Sequence, residues 1–198
     1  MDRHWLANYP AGIPHDIDPD CYPSVTAIIE ERLGKSSDEP AFTSFGVDAS
    51  FARIEAQSRA FGAYCQERLG LKKGDRIAIM MPNLIQYPIV LFGALRAGLT
   101  VVNTNPLYTA RELEHQLSDS GAKAIVVVEN FASVLESCLS NTPVEHVIVT
   151  RMGDCLPGLK GSIVNAVVKY LKGMVPAYSL PEALRFKDVV SDGAACTL

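Results

Sequence analysis

The chain has 198 residues, 48% hydrophobic and 20% charged. That composition belongs to a globular domain and excludes a disordered, collagenous or low-complexity polypeptide. The net charge is −4, and no basic stripe rises above the background, which excludes nucleic acid as a partner. The acidity sits at the front: residues 1–50 hold nine acidic against three basic residues. The longest apolar runs, Ile89–Leu95 and Ala124–Val128, fall short of the roughly 20 residues that cross a bilayer. Met1-Asp2-Arg3-His4-Trp5 lacks the apolar stretch of a secretory signal. Cys21, Cys65, Cys138, Cys155 and Cys196 are odd in number and form no C-x-x-C pair, a pattern of reduced thiols in a cytosolic protein.

Residues 1–23 are punctuated by Pro10, Gly12, Pro14, Pro19 and Pro23, and read as an extended arm lying on another surface. Ser24 is placed to cap a short helix with Val25, Ile28, Ile29 and Leu33 on one face and Gly34 as its stop. Residues 35–40 form a polar turn. A small hairpin follows, with Ala41–Ser44 as its first strand and the turn at Phe45-Gly46-Val47-Asp48. Ser50 caps a helix carrying Phe51, Ile54, Phe61, Cys65 and Leu69 at helical spacing, stopped by Gly70. Arg76–Met81 reads as a buried strand and Leu84–Ala97 as a helix, in which Pro88 either makes a kink or marks the true first turn. Leu99–Val102 is a second strand, followed by the loop Asn103–Tyr108. Thr109 caps the next helix, with Leu113 and Leu117 inward and an end near Gly121. Lys123–Val128 is a third strand, Phe131–Leu139 a helix and Val144–Thr150 a fourth strand.

Alternating helices and strands with short linkers demand parallel pairing, because each helix carries the chain back over the sheet. The strands are apolar on both sides, as when helices cover both faces. The fold class is therefore α/β: a doubly wound, mostly parallel sheet covered by helices on both faces, over residues 41–150. Residues 1–40 are the arm and short helix. Residues 151–198 begin with loops at Pro157-Gly158 and Lys160-Gly161. An amphipathic helix follows, carrying Ile163, Ala166, Val167, Tyr170, Leu171 and Met174, with Lys160, Lys169 and Lys172 nearby and Pro176 as its stop. Its three lysines are few for a membrane surface, so packing against another part of the protein is the expectation. The remainder is loop-like and reaches Leu198 without a closing element, which reads as a cut chain.

Ligands of doubly wound sheets bind beyond the carboxyl ends of the strands. Two loops stand there, Met81-Pro82-Asn83 and Asn103–Tyr108. The second, with two asparagines before a capped helix, has side-chain amides and a helix N-terminus to present, though Asn and Pro are also ordinary turn residues. Gly93–Gly98 has the glycine spacing of a phosphate loop, but Leu99-Thr100 stands where Lys-Ser/Thr is required. No G-x-G-x-x-G follows a strand. Glu112 and His115 are half of a di-metal helix motif whose other half is missing, and His115, Ser118 and Asp119 lack a nucleophile elbow. A solvated helix face accounts for them.

The run GLKKGDRIAIMMPNLIQYPIVLFGALRAGLTVVNTNPLYTARELEHQLSDSGAKAIVVV resembles the N-terminal region of bacterial long-chain fatty-acid–CoA ligases, AMP-forming enzymes of the adenylating superfamily. The arm HWLANYPAGIPHDIDPDCYPSV, HVIVTRMGD and NAVVKYLKGMVPAYSLP extend the likeness over essentially the whole chain. The resemblance implies a two-step reaction in the full-length enzyme. The fatty-acid carboxylate attacks the α-phosphate of ATP, with Mg2+, and the CoA thiolate then displaces AMP from the acyl-adenylate. Nothing here matches the family's Ser/Thr/Gly-rich phosphate loop, its adenine-contacting motif or its catalytic lysine, and Ser36-Ser37 lacks the glycines and lysine. The resemblance therefore carries over no catalytic residue and no metal ligand, and implies a chain that binds no cofactor and is inactive alone. It does imply that Asn105, Pro106, Leu107 and Tyr108 run near the CoA route. It also implies homodimer contacts through the arm, and a cytoplasmic location, peripheral at the inner face of the membrane. Two other readings stand beside it: a non-catalytic module that binds a partner or membrane through the arm and the 161–174 helix, and a stand-alone flavodoxin-like nucleotide binder.

Overall fold

The computed structural model describes residues 2–35 and 37–198. Met1, in the leader reading, and Ser36, in the 35–40 turn and the Ser36-Ser37 pair, lie outside the described residues. The elements are α1 Val25–Lys35, β1 Pro40–Ser44, β2 Val47–Ser50, α2 Phe51–Glu67, β3 Arg76–Met80, α3 Gln86–Arg96, β4 Thr100–Asn103, α4 Ala110–Ser120, β5 Ala124–Val128, α5 Ala132–Cys138, β6 His146–Thr150, α6 Gly158–Ala166, β7 Leu184–Arg185 and α7 Phe186–Gly193.

β3 to β7 form one sheet in the order β4-β3-β5-β6-β7, every neighbouring pair parallel. Side chains alternate between its faces. Ile77, Ile79, Val126 and Ile148 face a core shared with α1, α2, α3 and α7. Ala78, Met80, Ile125 and Val127 face the other way, onto Leu113 and Leu117 of α4 and Leu135 and Cys138 of α5. Every residue of β5 is buried, which is why its sequence is a continuous apolar run. Burial of Leu113 or Leu117 contributes about 1.5–3 kcal/mol each.

Local chemistry sets the helix boundaries. The Ser50 hydroxyl accepts from the Arg53 N–H at 3.3 Å. Thr109 and Glu112 form a reciprocal capping box, and Gly121 ends α4 in the left-handed region at φ 63°. Pro88 is the third residue of α3, inside the first turn, where its missing N–H costs nothing. α2 and α3 meet through Gly62 and Gly93, so close that a Cβ on Gly93 would lie 2.6 Å from the Ser58 carbonyl oxygen. The Arg96 side chain, 1% exposed, is held between α1 and α2 by Glu55 and by Glu30 at 3.7 Å.

Several expectations are corrected. α1 runs through Gly34 to Lys35, because the Gly34 backbone stays out of the left-handed region and gives the helix no stop. The hairpin turn is only Phe45-Gly46, both at positive φ (52° and 65°), which places Val47 and Asp48 in β2. This hairpin is a separate antiparallel pair, not part of the main sheet. The Pro157–Gly161 stretch is not loop: α6 starts at Gly158 and passes at Ala166 into a π-helical turn, Val167–Leu171. The stretch after Pro176 is not all loop either. Leu184–Arg185 joins β6 as the fifth strand and α7 packs on α2, so the sheet extends past residue 150. A two-residue strand has no periodicity of its own; its existence follows from pairing with Ile148 and Val149.

Candidate functional site

β3 has β4 on one side and β5 on the other, so the winding reverses at β3 and a crevice opens outside its carboxyl end. The segments at the carboxyl ends are 81–85 after β3, 104–109 after β4, 129–131 after β5 and 151–157 after β6. Gln86 ties two of these ends together: its buried amide Nε2 donates to the Arg151 carbonyl at 2.7 Å and lies 3.3 Å from the Thr150 hydroxyl.

The β3–β4 end holds a small hollow of about 230 Å³ lined by Ile79, Met81, Asn83, Tyr87, Asn103, Thr104 and Asn105. The Tyr87 hydroxyl donates to Asn103 Oδ1 at 3.0 Å, and the Thr104 N–H donates to the Ile79 carbonyl at 3.0 Å. Of the residues singled out from sequence, Asn105 lines this hollow, its Oδ1 accepting from the Leu107 N–H at 3.0 Å. Leu107 is 81% exposed. Pro106 is half-buried, and Tyr108 packs into the core under α4. The four residues are thus not one cluster. The N-terminus of α4 is not open to a ligand either: the Glu112 carboxylate accepts from the Thr109 N–H and hydroxyl, both at 2.8 Å. Those hydrogen bonds hold the Glu112 carboxyl below its usual range.

A larger cleft, about 510 Å³, opens at the β5–β7 end, where the sequence pattern places no candidate ligand-binding residue, although Ala166, Lys169 and Tyr170 of the amphipathic helix line it. Its walls carry Glu129, Arg151, Asp154, Lys169, Tyr178 and Arg185. Glu129 directly follows β5 and is 1% exposed. Burial pushes its carboxyl up, with the nearby Arg151 and Lys169 charges opposing. Arg151 Nε lies 3.3 Å from Glu129 Oε2, but off the hydrogen-bond axis, so Oε2 has no hydrogen-bond partner among the described residues. Asp154 Oδ2 accepts from the Arg151 N–H at 2.8 Å and from the Thr150 hydroxyl at 3.3 Å. Burial also raises the Tyr178 hydroxyl pKa. The one sequence signal for this cleft is an acidic residue set directly at the carboxyl end of a wholly apolar strand.

The strand-end segments are poor in glycine. The four contain a single one, Gly153, and a Cβ there would lie 2.3 Å from the Gly161 carbonyl oxygen. Among the described residues, no group of three His, Cys, Asp or Glu is placed to hold a metal ion. Glu112 is spent on its cap, and His115, Ser118 and Asp119 lie on the exposed face of α4.

The strand order and the crevices at the strand ends define an open, doubly wound α/β lobe. Residues 29–183 match the AMP-binding enzyme family, and the chain belongs to that family. It is 55% identical to a long-chain-fatty-acid–CoA ligase of Escherichia coli O6:H1 and 57% identical to one of Yersinia pestis, in each case over 98% of this chain and 34% of the relative. The chain therefore spans about a third of the length of these curated relatives. Among solved structures it resembles a long-chain-fatty-acid–CoA ligase from Archaeoglobus fulgidus, at TM-score 0.59 and 28% identity over 79% of this chain and 32% of that one. A benzoate CoA ligase from Burkholderia xenovorans LB400 shares the fold, at TM-score 0.65 and 19% identity over 87% of this chain and 28% of that one.

Proposed function

We propose that this chain is the first lobe of a long-chain fatty-acid–CoA ligase, which joins a fatty acid to CoA with conversion of ATP to AMP and pyrophosphate. The observation that carries this reading is the identity of more than half, over 98% of the chain, to ligases of that name. In this reading the lobe is structural wall, and the phosphates of ATP, Mg2+ and the catalytic lysine are held by residues outside these 198. The chain by itself is then inactive. Asn105 and Leu107, exposed beyond β4, border the CoA route, with Pro106 and Tyr108 fixing the loop between and behind them.

The test is a chimera in which residues 1–198 replace the matching segment of the Escherichia coli relative. Palmitoyl-CoA formation within tenfold of that relative supports the reading, and a folded chimera without activity refutes it. Residues 1–198 alone should give no palmitate-dependent ATP–pyrophosphate exchange.

The arm carries a second expectation, a homodimer. From Asp2 to Pro23 every residue but Leu6 is exposed, including Trp5, Tyr9, Ile13, Ile17 and Tyr22. Its order comes from within, through Arg3–Asp16 at 2.7 Å and the edge-on Tyr9–His15 pair. Such an apolar surface calls for a partner, and a second copy satisfies it. Light scattering should show a dimer that Trp5→Ser/Ile13→Ser converts to monomer; an unchanged mass would refute it. Among the described residues no helix is long and apolar enough to cross a membrane. Membrane contact in this proposal is peripheral, through the exposed Leu159, Ile163 and Leu171, on a cytoplasmic protein.

A further inference from the structure

Glu129 and Asn130, which directly follow β5, are 1% and 7% exposed. Part of their cover is the segment 167–179: Lys169 and Tyr178 line the cleft with Glu129, and Met174 meets Asn130. Yet no residue from 167 to 179 is itself buried. Apart from backbone bonds within its own helix, one hydrogen bond ties this segment to the rest of the lobe among the described residues. It runs from Asn130 Nδ2 to the Met174 carbonyl at 2.9 Å. A segment with so few buried contacts lies at the low end of local stability. Its two ends are fixed. Before it, α6 is held to the 151–157 loop, where the Gly153 N–H donates to Asn165 Oδ1 at 2.7 Å. After it, Leu180 packs on the core beside α4 and α5. Between them the backbone has two places to bend. The helix widens into the π-turn Val167–Leu171, a form that kinks helices and recurs at functional sites. Gly173 follows at φ 61°. The closed arrangement also leaves Glu129 Oε2 and Asn130 Oδ1 buried without hydrogen-bond partners among the described residues, and lifting the segment would give both to water.

We propose that residues 167–179 are a hinged cover over the carboxyl end of β5, bending at the π-turn and Gly173 and latched by the Asn130 amide on the Met174 carbonyl. Closed, the cover seals Glu129 and Asn130 from solvent. Open, it uncovers both at the edge where doubly wound sheets receive ligands, and it widens the cleft that Lys169, Tyr170 and Tyr178 now line. Arg151 stays beside Glu129 in both states, because its own backbone is held by Asp154 at the end of β6 and not by the cover. This goes beyond the ligase reading, which assigns no motion to these residues, and its test does not depend on ligase activity.

Hydrogen exchange, read by mass spectrometry, is followed in the 198-residue chain and in two variants. Asn130→Ala removes the latch. Gly173→Ala strains the closed bend, because alanine disfavours the left-handed φ although its Cβ would meet nothing within 4 Å. In the unaltered chain the amides of Lys172 and Met174, bonded to the Val167 and Val168 carbonyls, should exchange at least tenfold faster than those of β5. Each variant should speed them at least tenfold further, with β5 exchange and circular dichroism unchanged. Carbodiimide coupling of glycine amide reads the covered carboxyl directly. Glu129 should be labelled at least tenfold less than exposed Glu136 in the unaltered chain, and at least fivefold more in Asn130→Ala than in that chain. Exchange of 167–179 no faster than β5, unchanged exchange and labelling in both variants, equal labelling of Glu129 and Glu136 in the unaltered chain, or β5 exchange rising in step with the cover would each overturn the proposal.

Discussion

Asp75 shows how a single side chain closes the entrance to the sheet. Its carboxylate accepts from the Lys72 N–H at 2.9 Å and lies 2.8 Å from Lys123 Nζ, joining the loop before β3 to the residue before β5. These contacts, the Lys123 hydrogen bond first, hold the Asp75 carboxyl below the usual aspartate range. A carboxyl depressed by folding adds stability above its unfolded pKa, and that stability is lost as the pH falls through the folded value. Asp75→Asn should therefore lower stability at neutral pH and flatten its decline below about pH 4, as read by urea midpoints across pH. Glu129 has the opposite sign. Burial raises it, so its ionisation works against the fold as the pH rises past the ordinary glutamate range. Cysteines offer a second check at this scale. Burial pushes the Cys65 and Cys155 thiols up to about 12, and Cys138 is buried as well. A thiol reagent attacks thiolates, so near pH 8 exposed Cys21 should react first and Cys196 next. The other three should react only on unfolding, and a native burst of five thiols would contradict these packing assignments.

At the scale of elements, the decisive contacts are backbone approaches that only glycine permits. A Cβ on Gly93 would meet the Ser58 carbonyl oxygen at 2.6 Å and Phe61 Cδ1 at 2.9 Å. Gly93→Ala must separate α2 from α3, and overpacking of this kind costs about 1–3 kcal/mol, more than alanine's helix propensity returns. A Cβ on Gly34 in α1 would meet nothing within 4 Å, and Gly34→Ala should stabilise by about 0.5–1 kcal/mol. Thermal melts of the two variants should move in opposite directions; a shift of the same sign would show that the α2–α3 contact is misplaced. The same distinction separates what the sequence discloses from what it hides. The Thr109–Glu112 box and the Gly121 stop are local, no more than four residues from their partners, and are legible in the letters alone. β7 has two residues and exists only beside β6. The π-turn after Ala166 keeps the apolar composition of a regular helix while changing which residues share a face. Glu129 is an ordinary acid until β5, β6 and the 175–183 segment close around it, so the larger cleft is not readable from spacing. The loop Asn103–Tyr108 is legible as a loop, but its residues divide between an exposed tip and a packed tyrosine.

The whole molecule shows a division of labour. A parallel sheet with helices on both faces positions two clefts at its carboxyl edge. The chain spans 34% of its long-chain-fatty-acid–CoA ligase relatives, and the proposed activity needs residues outside that third. Isolated residues 1–198 should therefore be folded yet indifferent to nucleotide. The most direct measurement is calorimetric titration of this chain with ATP and Mg2+. The account predicts no saturable heat up to millimolar nucleotide, whereas one-to-one binding with a micromolar Kd would contradict it.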